Sequence, residues 1–542
     1  MKTESRGRWA LRNGVLDPLT AVLAALGLCV GAGCTADRPP PHELRIALAI
    51  DPASLSPLLA FAQNQIATDL LFCQTLVGLD ARDRIVPVLV MRVPSRANGD
   101  ISADGRRITY HLRTDARFAD GVPLTSADVA FTYRAIFDPR NNAASVDAYR
   151  RIASLTTPDP HTVVIRLRQP WNAAVNVLFA QADFAYGILP KHAFSDTMVS
   201  GSAWDRAPFG TGPFRVRSWT RGGSIVLVPN PYFVPAPKLT RITLQIIPNV
   251  TSALFALQTH AVDVATLGPQ NLAQAQQLPG IRIVRIAENG LGAIYFQTQR
   301  APTDDVRVRR ALEQALDLPA MSRVWRNAYP LASGFLPPPL VRWRAAPLAG
   351  YRFDPAGAAR GLDAAGWHLH GALRVKDGSP MSLLYAVDAD DPLQAPLGLI
   401  VQSQLARVGV RTTLKAYPSA FFSAPAGPLR SGRFSLVFAQ FIGGSDPEQS
   451  INLVCAQARN GGESYSRYCS QRFEAIFRDQ MSAGTDARRE RDFDALQSQA
   501  RSDVPVIPLY DEIYLEGVDA RVTGYRRNML RFPVAPEAWD AR

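Results

Sequence analysis

A chain of 542 residues is too long to fold around a single core, so two or three lobes are expected. With 47% apolar and 20% charged residues it has the composition of a folded soluble protein and not of a disordered one. The net charge of +12 raises nucleic-acid binding, but its arginines are scattered and no basic run is interleaved with aromatics, so the footprint such binding needs is absent.

The N-terminus reads as a targeting segment. Lys2, Arg6, Arg8 and Arg12 precede the apolar run Leu19–Val30, which is too short to span a bilayer comfortably. Gly31-Ala32-Gly33 before Cys34 is similar to a bacterial lipobox, although Gly31 stands where Leu is usual. That likeness implies a signal peptide over 1–34 and lipidation of Cys34; plain secretion or an uncleaved anchor stay open. Residues 35–42, TADRPPPH, read as an extended tether, because proline cannot join regular hydrogen-bonded structure. No later segment approaches 18 unbroken apolar residues, so an integral membrane protein is not expected.

Glu43–Ile50 should form the first strand, followed by a turn and a helix over Gln63–Leu79. In Ala103–Ile136, Ile108, Tyr110 and Leu112 alternate with polar residues as in a half-buried strand. Asp120-Gly121 is a turn pair, and Thr125 with Asp128 three residues later predicts a capped helix carrying Val129, Tyr133 and Ile136. Thr162–Leu167 and Ser224–Val228 read as strands. Between them, Pro208–Phe214 (PFGTGPF) places two glycines around a threonine, expected to supply positive φ; a phosphate loop is disfavoured because no GK[ST] follows. Val250–Val264 reads as helix, turn and strand, and Val306–Leu318 as a helix whose charged face is solvated. Ala358–Trp367 is a helix ended by Gly366, and Arg374–Met381 a hairpin turn. The strand Ser382–Ala386, the helix and turn over Ile400–Val410 and the strand Thr412–Ala416 then give the β-then-α alternation of a doubly wound α/β lobe.

Catalytic patterns are missing: there is no G-x-S-x-G, H-E-x-x-H or Walker A sequence. His368 and His370 could share one side of a strand, but no third metal ligand lies near. Cys73, in the run Leu70-Leu71-Phe72-Cys73, reads as a buried free thiol. Cys455 and Cys469 are the disulfide candidates, with a zinc site as the rival reading. The segment best suited to bind something is Val437–Ser450, VFAQFIGGSDPEQS, where an apolar strand runs into a Gly-Gly turn with polar groups at its end.

The order Asp104-Gly105, Tyr110, Leu112-Arg113, Phe118, Asp120-Gly121, Pro123-Leu124-Thr125 and Ala127-Asp128-Val129 resembles a stretch of the extracytoplasmic solute-binding proteins of family 5. Pro208–Phe214, Val306–Leu318 and Val504–Tyr510 are similar to further family elements in the same order, so the resemblance covers about 43–525. It implies an α/β, two-lobed periplasmic-binding-protein fold of class C or type II-like form, with an extra small α+β domain. The implied parts are lobe I at 43–75, 205–292 and 508–542, an accessory domain at 76–204, and lobe II at 293–507. Hinges are expected near Asn289–Ile294 and Arg501–Ile507.

The implied function is the binding component of an ABC importer. It would take peptides or peptide-like solutes and hand them to permease and ATPase subunits, without catalysis, cofactor, metal or nucleic acid. A monomer anchored by lipid in the periplasm is expected. A sensor or chaperone using the same lobes, a binder of a metal chelate, sugar or opine, and an extracytoplasmic hydrolase are the alternatives. The ligand-binding residues implied are Gln440, Phe441, Gly443, Gly444, Ser445 and Asp446. In peptide-binding members a carboxylate in this loop holds the ligand's ammonium, but here Gly443-Gly444 stands in its place. Either Asp446 has taken that role or the ligand lacks the ammonium. The resemblance also supports the Cys455–Cys469 bridge, and Arg467 and Tyr468 are further candidates for the cleft border, with a structural role as the equal alternative.

Overall fold

The computed structural model describes residues 40–542 except 61, 183, 327, 333, 344–351, 451, 460 and 461. The expected signal segment, Cys34 and most of the expected tether lie outside the described residues. A mixed ten-stranded sheet organises the molecule. Its order is Arg411–Tyr417, Ser382–Asp388, Leu436–Ile442, Ile281–Phe296, Val506–Asp519, Val264–Leu267, Glu43–Leu48, Arg241–Ile246, Ser224–Pro229, Phe214–Thr220. Ser382–Asp388 and Arg411–Tyr417 pair in parallel through the helix Gln394–Ala406, the crossover that parallel pairing requires. Glu43–Leu48 also pairs in parallel with both neighbours.

Two long strands at the centre, Ile281–Phe296 and Val506–Asp519, carry the sheet from one half of the molecule to the other. They are antiparallel from Ile281 opposite Asp519 to Tyr295 opposite Val506, with a break between Ala287 and Leu291. Such a bulge bends a strand and frees side chains from the ladder. Gly292 continues the strand beneath Tyr510, whose ring occupies the space a Cβ would need.

A separate antiparallel sheet joins Arg107–His111, Thr162–Leu167 and Ile152–Asp159 in that order. Its inner face buries Ile108, Tyr110, Val163 and Ile165 against Val129, Ala135 and Ile136 of the helix Ser126–Phe137. The predicted strand, turn and helix are all present. Gly121 has φ +92°, and Thr125 and Asp128 form a reciprocal capping box in which the Thr125 backbone N–H donates to Asp128 Oδ2 at 2.8 Å.

The expected helix over 63–79 stops early. Helix covers Gln63–Asp69 and a strand begins at Val77. The apolar run that extended the predicted helix is buried on more than one side, because Pro208–Phe214 lies against it. The Gly212 and Phe214 N–H groups donate to the carbonyls of Phe72 and Leu71 at 2.9 and 3.1 Å. This also corrects the reason for the glycines. Gly210 and Gly212 do not have positive φ. They permit close approach, since a Cβ on Gly212 would lie 2.6 Å from the Phe72 carbonyl carbon and 2.7 Å from the Leu71 oxygen.

The helix predicted over Val306–Leu318 covers Val306–Gln314, and its charged face is only partly solvated. Arg309 is buried and its guanidinium donates to the carbonyls of Thr303, Asp304, Asp503 and Val504. One apolar cluster joins Ile66 and Leu70 near the N-terminus to Tyr295, Phe335 and Leu496, and to Leu530 and Phe532 near the C-terminus. Among the described residues no helix is long and apolar enough to cross a membrane.

Candidate functional site

The loop singled out in the sequence leaves the sheet where the bulge lies. Strand Leu436–Ile442 pairs with Ile281–Phe296 until Ile442 stands opposite Gly290. The Gly443 N–H then donates to the Asn289 carbonyl at 2.7 Å, and Asn289 Nδ2 donates to the Gly444 carbonyl. Both glycines are buried, so this turn is a strap tying the loop to the bulge.

Ser445 and Asp446 face inward. Ser445 Oγ donates to the Asn176 carbonyl at 2.9 Å. Asp446 accepts two hydrogen bonds from Arg489, at 2.9 and 2.5 Å, and a third from Asn176 Nδ2 at 3.2 Å. Asp446 and Arg489 are 1% and 5% exposed, so this is a compensated buried ion pair holding the loop to the helix Asp486–Asp503. Its oxygens are committed within the protein.

Gln440 is exposed and Phe441 half-buried near the end of the strand Leu436–Ile442. Phe441 lines a small apolar pocket with Leu291, Tyr295, Phe335 and Leu496. It also lines a wider chamber, together with Arg151, Glu448, Glu474 and Arg478. Asn452 borders both spaces, so pocket and chamber adjoin at the Phe441 ring. An apolar slot beside a polar, solvent-open chamber is the usual composition of a solute site, with burial supplying affinity and a few polar groups supplying orientation.

Behind Gln440 lies a buried polar cluster on the two long strands. Gln440 Nε2 donates to the Tyr510 hydroxyl at 3.2 Å, and Tyr510 packs against Tyr329 and Trp325 with ring centroids 4.8 Å away. Glu288, in the bulge, is held by Arg531 through two guanidinium hydrogen bonds. Glu512 is 4% exposed and has no such cation to itself. Burial first, and the neighbouring Glu288 second, push its carboxyl up to about 8. It is therefore mostly protonated at neutral pH.

Cys455 and Cys469 form a disulfide, so these thiols hold no zinc, and Cys73 is a buried free thiol. Arg467 and Tyr468, expected near the cleft border, are buried beside the bridge. Arg467 donates to the Arg459 and Arg430 carbonyls, and the Tyr468 hydroxyl to Asp503 Oδ2 at 2.5 Å. Both are scaffold. His368 and His370 lie exposed on a small hairpin sheet. Reading the sequence did not find Arg489, Glu512 or Glu448 as parts of this region. Glu448 lay within the chosen segment, but nothing local marks the other two.

A profile of the bacterial extracellular solute-binding proteins, family 5 (middle region), matches residues 84–462. Protein XP55 of Streptomyces lividans is 27% identical over 430 residues, covering 76% of this chain and 75% of that protein. A probable D,D-dipeptide-binding periplasmic protein of Escherichia coli is 23% identical over 79% of this chain and 81% of its own. The crystal structure of the Bacillus subtilis oligopeptide-binding protein AppA with a nonapeptide superposes with a TM-score of 0.74 at 19% identity, covering 92% of this chain and 99% of that one. The strand-turn-helix of residues 103–136, the ten-stranded sheet and the profile match agree: this chain belongs to the family 5 bacterial extracellular solute-binding proteins.

Proposed function

We propose that this protein is the substrate-binding component of an ABC importer, capturing peptides or peptide-like solutes and delivering them to a membrane permease and its ATPase. The observation that carries the reading is the apolar pocket at Phe441 opening into a polar chamber, which fits a solute with apolar side chains on a polar backbone. A relative named a probable D,D-dipeptide-binding protein and a similar structure of an oligopeptide-binding protein with a nonapeptide support the same class. The parts are lobe I (43–75, 205–292, 508–542), the accessory domain (76–204) and lobe II (293–507), with bending where the two long strands pair around Ile294 and Ile507. Closure is driven by the solute's preference for the closed state, with no chemical turnover.

Native mass spectrometry of the protein as purified tests this directly. A mixed set of short peptides is expected; a metal chelate or a sugar overturns the peptide reading. We further propose that the chain is a monomer held at the membrane by lipid on Cys34, after removal of the signal segment before it. Its membrane-fraction mass should include the lipid, and Cys34→Ala should release it.

A further inference from the structure

Residues 171–176 of the accessory domain meet lobe II at two places. The first is the end of the helix Gln471–Met481, where the last carbonyls of a helix lack partners inside it. Asn172 supplies donors there. Its Nδ2 donates to the carbonyls of Gln480 and Ala483 at 2.9 and 3.0 Å, and its backbone N–H to the Met481 carbonyl at 2.9 Å. The second place is the loop after Ile442. Trp171 Nε1 donates to the two Glu448 oxygens at 3.1 and 3.0 Å. Asn176 Nδ2 donates to Asp446 at 3.2 Å, and the Asn176 carbonyl accepts the Ser445 hydroxyl at 2.9 Å.

Apolar packing follows the same seam. The accessory core is built from residues between Leu58 and Trp204, and among the described residues Met481 is its one neighbour beyond Phe209. The wide chamber has walls on both sides of the seam, with Arg151 and Gln169 from the accessory domain and Glu448, Arg478 and Met481 from lobe II. Parting the seam therefore widens the chamber. The contacts are of a kind that can be remade. Asn172 and Asn176 are half-buried, so water replaces their partners on separation. The apolar part is one flexible thioether side chain. Asp446 keeps its fork with Arg489, which lies within lobe II, so no buried charge is stranded when Asn176 leaves.

We propose that Asn172 is a latch: it fastens lobe II to the accessory domain while the chamber is shut and lets go when the lobes part, and so sets how readily the chamber closes on a solute. This rests on the lobe division and closure proposed above and deepens them. The accessory domain is inserted within lobe I, so bending around Ile294 and Ile507 carries lobe II away from both, and the seam is where that movement is resisted. Each hydrogen bond exchanged for water is worth about 2- to 12-fold in an equilibrium. Loss of the two side-chain bonds in Asn172→Ala should therefore favour the open form by about 5- to 100-fold.

The test uses the full mature protein. Hydrogen exchange of the wild type without added solute is read first, and it needs no variant to fold. The Asn172 N–H should exchange well ahead of the amides of Thr162–Leu167, the middle strand of the accessory sheet, because the seam opens while the domain stays folded. Exchange as slow as in that strand marks a permanent joint and overturns the latch. Small-angle X-ray scattering is then followed as a library of tri- to pentapeptides is added. The wild type should contract, and Asn172→Ala should need about 5- to 100-fold more peptide for the same contraction. Asn172→Asp keeps the shape but sets a negative charge against three carbonyls at a helix C-terminus, and should need more peptide still. Equal peptide demand in wild type and variants overturns the latch and leaves peptide-driven closure intact. A wild type that does not contract overturns that closure, and the latch with it.

Discussion

Glu512 offers a stability measurement with a definite sign. Its carboxyl is buried on the long strand Val506–Asp519, and its proton affinity is raised from 4.5 to about 8, chiefly by burial, then by Glu288. Arg531 opposes this, but its two hydrogen bonds go to Glu288. Because the folded-state pKa is the higher one, the folded protein holds this proton between pH 4.5 and 8 while the unfolded chain releases it. Stability therefore falls as pH rises through that window, by at most about 1.4 kcal/mol per pH unit, and levels off above it. Summed over the window the cost approaches about 5 kcal/mol, an upper bound because relaxation and water entry soften a buried charge. Glu512→Gln keeps the shape and the contact with Gln440 and removes the titration. Thermal unfolding by calorimetry at pH 5, 7 and 9 should show variant and wild type close at pH 5, with the variant gaining by several degrees at pH 9. A variant no more stable than wild type at pH 9, or a difference that does not widen with pH, refutes the buried-acid argument.

Other contacts give plainer expectations. Replacing Cys455 and Cys469 by serine opens a loop of 14-residue separation and should cost about 3 kcal/mol, read as a lowered unfolding midpoint that reductant reproduces in the wild type but not in the variant. Thr125→Ala removes half of the capping box and should cost about 1 kcal/mol in urea unfolding; Asp128→Ala should cost more, because Asp128 Oδ1 also accepts the Lys191 N–H at 2.9 Å. Arg489→Met strands a buried carboxylate and should cost about 3–5 kcal/mol, whereas adding Asp446→Leu to it should recover much of the loss. A double variant as unstable as Arg489→Met alone would show that the ion pair is not the source.

The fold was legible where local rules agree with one another. In residues 103–136 the alternation, the Asp-Gly turn and the Thr125–Asp128 box each act over a few residues, and all three stand in the structure. The reading failed at 70–76 because the deciding contact is distant: the Leu71 and Phe72 carbonyls are claimed by Phe214 and Gly212, and a helical continuation cannot coexist with that pairing. The glycines there were noticed for the wrong property. Conformational freedom can be guessed from a sequence, but close approach requires knowing the neighbour.

The binding region sharpens the same point. Asp446 and Glu448 are two carboxylates in one short loop, alike in any reading of the sequence. Their roles separate only because Arg489, 43 residues onward, grips Asp446 in a fork, while Arg151 reaches Glu448 only at 3.8 Å. A buried carboxylate with a matched guanidinium has no reason to exchange it for a ligand.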